Sequence, residues 1–164
     1  MTNPDSADKR GYLTEPFRLF HLRDRSTGRI PYHYHEFHKL ILFLSGELTY
    51  RVEGRGYEPK GGDLLLIPAH AIHQPLIGTD KPYERSILWI QPEALRELGL
   101  DVCFQRCHEE NAYLLTRDRY DRPWLQSQLQ SLEQALNDEQ FGSDVLAQSL
   151  FSQLMVSVNR WVLE

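Results

Sequence analysis

The chain has few cysteines and no long apolar run. Only Cys103 and Cys107 occur in 164 residues, and two thiols four residues apart do not make the disulfide framework of a small secreted domain. No apolar stretch approaches the roughly 18 residues that a membrane-spanning helix needs, and neither end shows a signal-peptide pattern. We therefore expect a soluble cytoplasmic protein with no membrane partner.

A basic excess is also absent. The chain has 18 Lys and Arg against 23 Asp and Glu, a formal net charge of −5. Domains that bind nucleic acid usually carry a basic stripe, so we do not expect this chain itself to bind DNA. Its 41% hydrophobic residues are ordinary for one globular domain with a core of its own.

The first half of the chain has the pattern of β-strands. The apolar runs 40–44 and 64–68 and the segment 83–90 are separated by turn clusters rich in Gly and Pro. Continuous apolar runs are typical of strands buried on both faces. Short strands punctuated every 8 to 12 residues indicate a sandwich or barrel.

The last 45 residues change to a helical period. Leu125, Leu129, Leu132 and Leu136 form one helical stripe, and Asp121 and Pro123 suit its first turn. The pair 143–144, Ser-Asp, can cap a second helix. Between the two halves, the segment 92–98 predicts a short helix.

Histidines are the chemically notable residues of the first half. His33 and His35 alternate, so on a strand they point the same way. Two such imidazoles form half of a metal site, and a third ligand must come from another strand. His73, which follows the second buried run, is the natural candidate, with His70 in reserve.

The spacing of these histidines resembles the cupin family. Gly28 followed by His33-x-His35, with Gly46 after the apolar strand, resembles the first cupin motif. The second motif is matched by residues 62 to 73, from Gly62-Asp63 through Pro68 to His70 and His73. The resemblance implies a jelly-roll β-barrel. It also implies that His33, His35 and His73 are the candidate ligands of a divalent transition metal.

One position departs from the metal-binding pattern. Lys39 stands four residues after His35, where metal-binding cupins have a carboxylate. An ammonium repels a dication, so we favour a pocket without a cofactor, in which His33, His35, Lys39, His73 and Trp89 contact a ligand and no residue is catalytic. The alternative is a small metal-dependent cupin enzyme, a dioxygenase or isomerase. A metal set of Cys103, Cys107 and His108 is less favoured than two plain thiols.

The order of strands followed by two helices is similar to the N-terminal domain of AraC-type transcription regulators. That resemblance implies a mainly β, cupin-type barrel followed by a two-helix subdomain, which binds a small-molecule effector and forms a homodimer. DNA would be bound only through a C-terminal domain that is not present in this chain. We expect a tail at 1–14, the barrel sensor at 15–118 and a helical dimerisation subdomain at 119–164.

The final helix carries more apolar residues than one stripe needs. Because an uncovered apolar strip usually marks an interface, we expect Leu150, Leu154, Val158 and Trp161 to lie near the two-fold axis of the homodimer.

Overall fold

A computed structural model of the chain describes residues 13–25, 28–29, 31–78 and 81–164. Nine strands lie in this part: β1 Phe17–Asp24, β2 Gly28–Arg29, β3 His38–Ser45, β4 Thr49–Val52, β5 Arg55–Tyr57, β6 Leu64–Ile67, β7 His73–Ile77, β8 Tyr83–Ile90 and β9 Leu114–Leu115. Its four α-helices are α1 Pro92–Leu98, α2 Val102–Glu110, α3 Arg122–Asn137 and α4 Ser143–Leu163. The three long apolar segments predicted as strands are β3, β6 and β8.

The strands form two sheets with jelly-roll topology. One sheet has the order β1-β8-β3-β6-β9, and the other has the order β2-β7-β4-β5. Apart from the hairpin of β4 and β5, the first eight strands therefore alternate between the two sheets, as in a jelly roll of two Greek keys. This arrangement confirms the predicted cupin-type fold class, a β-barrel followed by C-terminal helices.

The alternation of side chains along β3 assigns its two faces. Lys39, Ile41 and Phe43 lie opposite Trp89, Ile87 and Arg85 of β8. Directly opposite residues share a face of the sheet, and this face points into the barrel. His38 points the other way and stacks on Phe104 of α2, with ring centroids 4.1 Å apart.

The helices cover the outer face of the five-stranded sheet. Phe17 of β1 stacks on Phe151 of α4 with centroids 4.2 Å apart, and the apolar side chains of the sheet and the helices form one continuous core. Helices α1 and α2 lie between β8 and β9 in the chain. Helix α1 was predicted from the sequence, whereas α2 makes the helical part larger than the expected two-helix unit.

The helix ends agree only in part with the prediction. The Asp121 carboxylate accepts the backbone N–H of Trp124 at 3.1 Å, as a capping residue of α3 should. The cap residue of α4 is Gly142 in the left-handed region, without a side-chain cap bond. The predicted Ser-Asp cap is therefore wrong. No described helix is both long and apolar enough to cross a membrane.

The burial of α4 corrects the predicted dimer face. Leu154 and Val158 are 0% exposed within the single chain, and Leu150 and Trp161 are partly buried against the same core. Trp161 packs against Tyr120 and Trp124. Leu154 and Val158 cannot lie at a two-fold axis, because the barrel and α3 already cover that side of the helix.

Candidate functional site

Three histidines from two segments meet at one end of the barrel. His33 and His73 form an isolated antiparallel bridge, in which each backbone N–H donates to the other's carbonyl at 3.1 and 2.9 Å. His35 follows two residues later on the same side. One ring nitrogen from each of the three residues lies within 4.8 Å of the others. The structure thus brings together the three residues that the motif spacing grouped.

Hydrogen bonds fix which nitrogen carries the proton in two of the rings. Nδ1 of His33 lies 3.0 Å from the Pro31 carbonyl, and Nδ1 of His73 lies 2.9 Å from the Ala71 carbonyl. Since a carbonyl only accepts, both Nδ1 atoms are protonated and donate. Nε2 is then the remaining ring nitrogen of His33 and of His73.

Burial and nearby positive charge keep the His73 imidazole neutral. Burial, followed by the nearby Lys39 ammonium and His33, holds the pKa of His73 well below its ordinary value. A neutral imidazole can accept a hydrogen bond or a metal through Nε2, so the ring is available for either role at neutral pH.

Lys39 and Trp89 lie behind the histidines inside the barrel. Lys39 is 0% exposed and faces Trp89 across β3 and β8. The Trp89 ring packs against Phe37 at 4.4 Å and lies 6.2 Å from His35. All five residues predicted for the pocket therefore belong to one neighbourhood. Glu84 of β8 lies on the outer face of the sheet, where its carboxylate bonds His21 at 2.8 Å.

The open cavity lies in front of this group, between the barrel end and the helices. It has a volume of about 1290 Å³. Its walls are residues 31–38, the loop 68–70, and parts of α1 and α2 with the residues that precede them. His33 and His35 line it, whereas Lys39, His73 and Trp89 stand behind them. The predicted pocket residues are thus split between the cavity wall and the interior.

Sequence reasoning missed the helical wall. Arg96 of α1 and Phe104, Gln105 and His108 of α2 all face the cavity. Nothing in the motif spacing connects these helices to the barrel end. The sequence feature that could have indicated this wall was the short predicted helix at 92–98, directly after the last long strand.

Sequence reasoning also missed an ion pair inside the barrel. Arg85 is 1% exposed, donates to the carboxylate of Asp24 and lies over the ring of Tyr83 at 4.1 Å. The detectable signal was the strand period, since Arg85 has the same parity as Trp89 within one apolar strand.

The histidine group can be tested as a metal site by its donors. Three imidazoles, two of them oriented by carbonyls, match the ligand type and outer-shell support of Zn²⁺, Fe²⁺ or Ni²⁺. The buried ammonium of Lys39 acts against this, because it contributes a positive charge beside His73 where a carboxylate would offset the ion. The three donor groups therefore suit a transition-metal ion, whereas the positive charge of Lys39 opposes its binding.

The two cysteines do not join a site. Burial raises the pKa of the Cys103 thiol and of the Cys107 thiol to about 12, so both stay protonated in the core. His108 is exposed and lines the cavity instead. The structure therefore supports the prediction of plain buried thiols.

Comparison with curated proteins finds transcriptional activators. The chain is 29% identical over 137 residues to the HTH-type transcriptional activator RhaS of Salmonella typhimurium, and 28% identical over 135 residues to RhaS of Salmonella paratyphi A. Each match covers 79% of this chain and 47% of the relative. The chain thus spans about half the length of the curated relatives it matches.

Comparison with solved structures finds cupin barrels. A Cupin 2 conserved barrel domain protein from Salinispora arenicola matches with a TM-score of 0.43 and 16% identity, over 53% of this chain and 73% of that one. A salicylate 1,2-dioxygenase from Pseudaminobacter salicylatoxidans matches with a TM-score of 0.44 and 22% identity, over 50% and 24%.

A family model matches most of the chain. The model described as the AraC-like ligand binding domain matches residues 17–155, which include every described strand of the barrel, nearly all of the cavity wall and most of α4. The chain therefore belongs to the family of AraC-like ligand binding domains.

Proposed function

We propose that this chain is the effector-sensing domain of an AraC-type transcriptional regulator and that the effector binds in the cavity at the barrel end. The observation that carries the proposal is the cavity of about 1290 Å³. It is large enough for a small organic molecule, and it opens directly onto His33 and His35. Relatives that are transcriptional activators supply the regulatory context.

The domain would sense its effector and perform no chemistry. A ligand that contacts the loop 31–38 and the helices α1 and α2 at once binds best when these elements are correctly spaced. It would therefore shift the population between two arrangements of the barrel end and the helices. A separate DNA-binding domain of the longer regulator, working in the cytoplasm, would respond to that shift.

A substitution that fills the cavity tests this proposal. Gln105 is exposed and lines the cavity, so Gln105→Trp should fold normally while occupying the space. Small molecules found by thermal-shift screening of the wild type should lose their effect in this variant. Gln148→Trp, on the exposed side of α4, is the matched control. Ligands that stabilise both variants equally would refute the assignment of the cavity.

We further propose that the domain forms a homodimer, through a face different from the one expected from sequence. Large apolar side chains are exposed where α3 ends and α4 begins: Leu136, Phe141, Val145 and Leu146. Phe141 is fully exposed in the single chain. Such a patch supports a two-fold contact with a second copy.

A second candidate function follows from the histidine group. Three imidazole nitrogens within 4.8 Å favour a metal-dependent cupin enzyme, in which the metal would act as a Lewis acid at the barrel end. Elemental analysis of protein purified without chelator distinguishes the two candidates. One equivalent of a transition metal per chain, lost in His73→Ala, would favour the enzyme.

A further inference from the structure

His38 faces the cavity with one defined polar group. Ala69 donates its backbone N–H to Nδ1 of His38 at 2.9 Å, so Nδ1 is the acceptor and the proton of the neutral ring is on Nε2. One face of the ring is covered by Phe104. The side chain is 8% exposed and belongs to the cavity wall. The other nitrogen of the His38 ring, Nε2, is therefore an N–H donor.

Arg96 supplies a positive charge beside this donor. It lies in the last turn of α1 and lines the same cavity. Its guanidinium is close enough to His38 to be, after burial, the largest cause that lowers the pKa of that histidine to about 4. Among residues 13–25, 28–29, 31–78 and 81–164, no carboxylate forms an ion pair with Arg96.

The cavity wall also carries three carboxylates, those of Asp101, Glu36 and Glu93. The Asp101 carboxylate accepts the side-chain N–H of Gln105 at 2.8 Å. Glu36 and Glu93 are exposed side chains, as Arg96 is. A neutral N–H donor and a guanidinium on the wall of one cavity form a combination that suits a carboxylate.

We propose that Arg96 and His38 form a subsite for the carboxylate of an acidic effector, with the guanidinium donating to its oxygens and Nε2 of His38 donating a further bond. This inference rests on the proposed function, since it names the class of ligand that the cavity takes. The two basic residues inside the barrel, Lys39 and Arg85, are not part of this subsite.

Benzoate and benzamide test the subsite, because they have the same shape and differ in charge. Binding is measured by calorimetry and by NMR shifts of the wild type and three variants. We expect benzoate to bind at least tenfold more tightly than benzamide. Arg96→Gln should weaken benzoate at least tenfold and His38→Leu should weaken it several-fold, while Arg106→Gln changes nothing. Arg106 pairs with Glu110 on α2 and does not line the cavity, so it is the matched control.

The outcomes separate this inference from the proposed function. Equal binding of benzoate to the wild type and Arg96→Gln would overturn the subsite. So would benzamide binding as tightly as benzoate; if Gln105→Trp then blocks both probes, the cavity remains the effector site but its ligand is not an acid. Failure of benzoate and of short aliphatic carboxylates to bind at all would also overturn the subsite. If His38→Leu unfolds, Arg96→Gln alone decides, since that side chain is exposed.

Discussion

The rings of His33 and His73 lie 4.2 Å apart at their centroids, although 40 positions separate them in the chain. A pair of backbone hydrogen bonds holds them in register. With His35 they form a ready set of metal donors, and the charge of Lys39 beside His73 opposes an ion. The balance between these two features can be measured directly.

Replacing Lys39 should reveal a latent metal affinity. We expect Lys39→Glu to bind Zn²⁺ or Ni²⁺ at least tenfold more tightly than the wild type, because it removes a repulsive charge and adds an oxygen ligand. Lys39→Met should give a smaller gain. Competition with a chromophoric chelator measures both affinities. A wild type that already binds one equivalent more tightly than either variant would show that Lys39 does not oppose the metal, and would favour the enzyme.

Acid should weaken the fold through His38. Burial, Arg96 and His70 lower the pKa of His38 from 6.5 to about 4, so between these pH values the unfolded chain binds a proton that the folded chain does not. The stabilisation is complete above pH 6.5 and is lost as the pH falls toward 4, by roughly 3 kcal/mol at full titration. Urea unfolding at several pH values measures this. In His38→Gln, which keeps an acceptor but does not titrate, the dependence over this range should be smaller by about that amount; an unchanged slope would show that other groups cause it.

Replacing His70 by glycine should raise the stability of the fold. Its backbone is left-handed, with φ of 70°, which a side chain other than glycine adopts at a cost of about 1 kcal/mol. The loop is held there because the backbone N–H of His70 donates to the His35 carbonyl at 2.7 Å. We expect His70→Gly to raise the melting temperature by a few degrees. His108→Gly, within helix α2, should lower it; a fall in both would mean that the His70 side chain stabilises the loop more than its backbone strain costs.

Much of this architecture could be predicted from the sequence, because local residue patterns determine it. The runs that became β3, β6 and β8 are apolar along their whole length, since both faces are covered, and the motif spacing placed His33, His35 and His73 together. The cavity wall from α1 and α2 could not be predicted, because Arg96 and Phe104 reach the barrel end only through tertiary packing. The exposure of Leu136 could not be predicted from the sequence either. It continues the helical stripe, but the helix buries Ala135 instead.

Asn159 should be the most sensitive polar residue of α4. It is buried, accepts the backbone N–H of Cys103 at 2.9 Å and donates to the carbonyls of Leu100 and Met155. Asn159→Leu leaves buried backbone groups at the start of α2 without partners, so we expect a loss of roughly 2–4 kcal/mol in unfolding free energy. Denaturant titration gives the value. Gln153→Leu, exposed on the same helix, should change stability by less than about 0.5 kcal/mol; comparable losses would mean that α4 tolerates neither change for reasons unrelated to these bonds.

The dimer face can be located by comparing two kinds of charge insertion on one helix. Val145 and Leu146 are exposed on α4, so Val145→Glu with Leu146→Glu should leave the monomer folded and abolish a dimer that uses this patch. Leu154→Glu places a charge in the core, at a site that is 0% exposed, and should instead unfold the chain. Light scattering at micromolar concentration measures the assembly, and circular dichroism measures the fold. A wild type that is dimeric and stays dimeric in the double variant would place the interface elsewhere, whereas a monomeric wild type would show that this domain does not dimerise by itself.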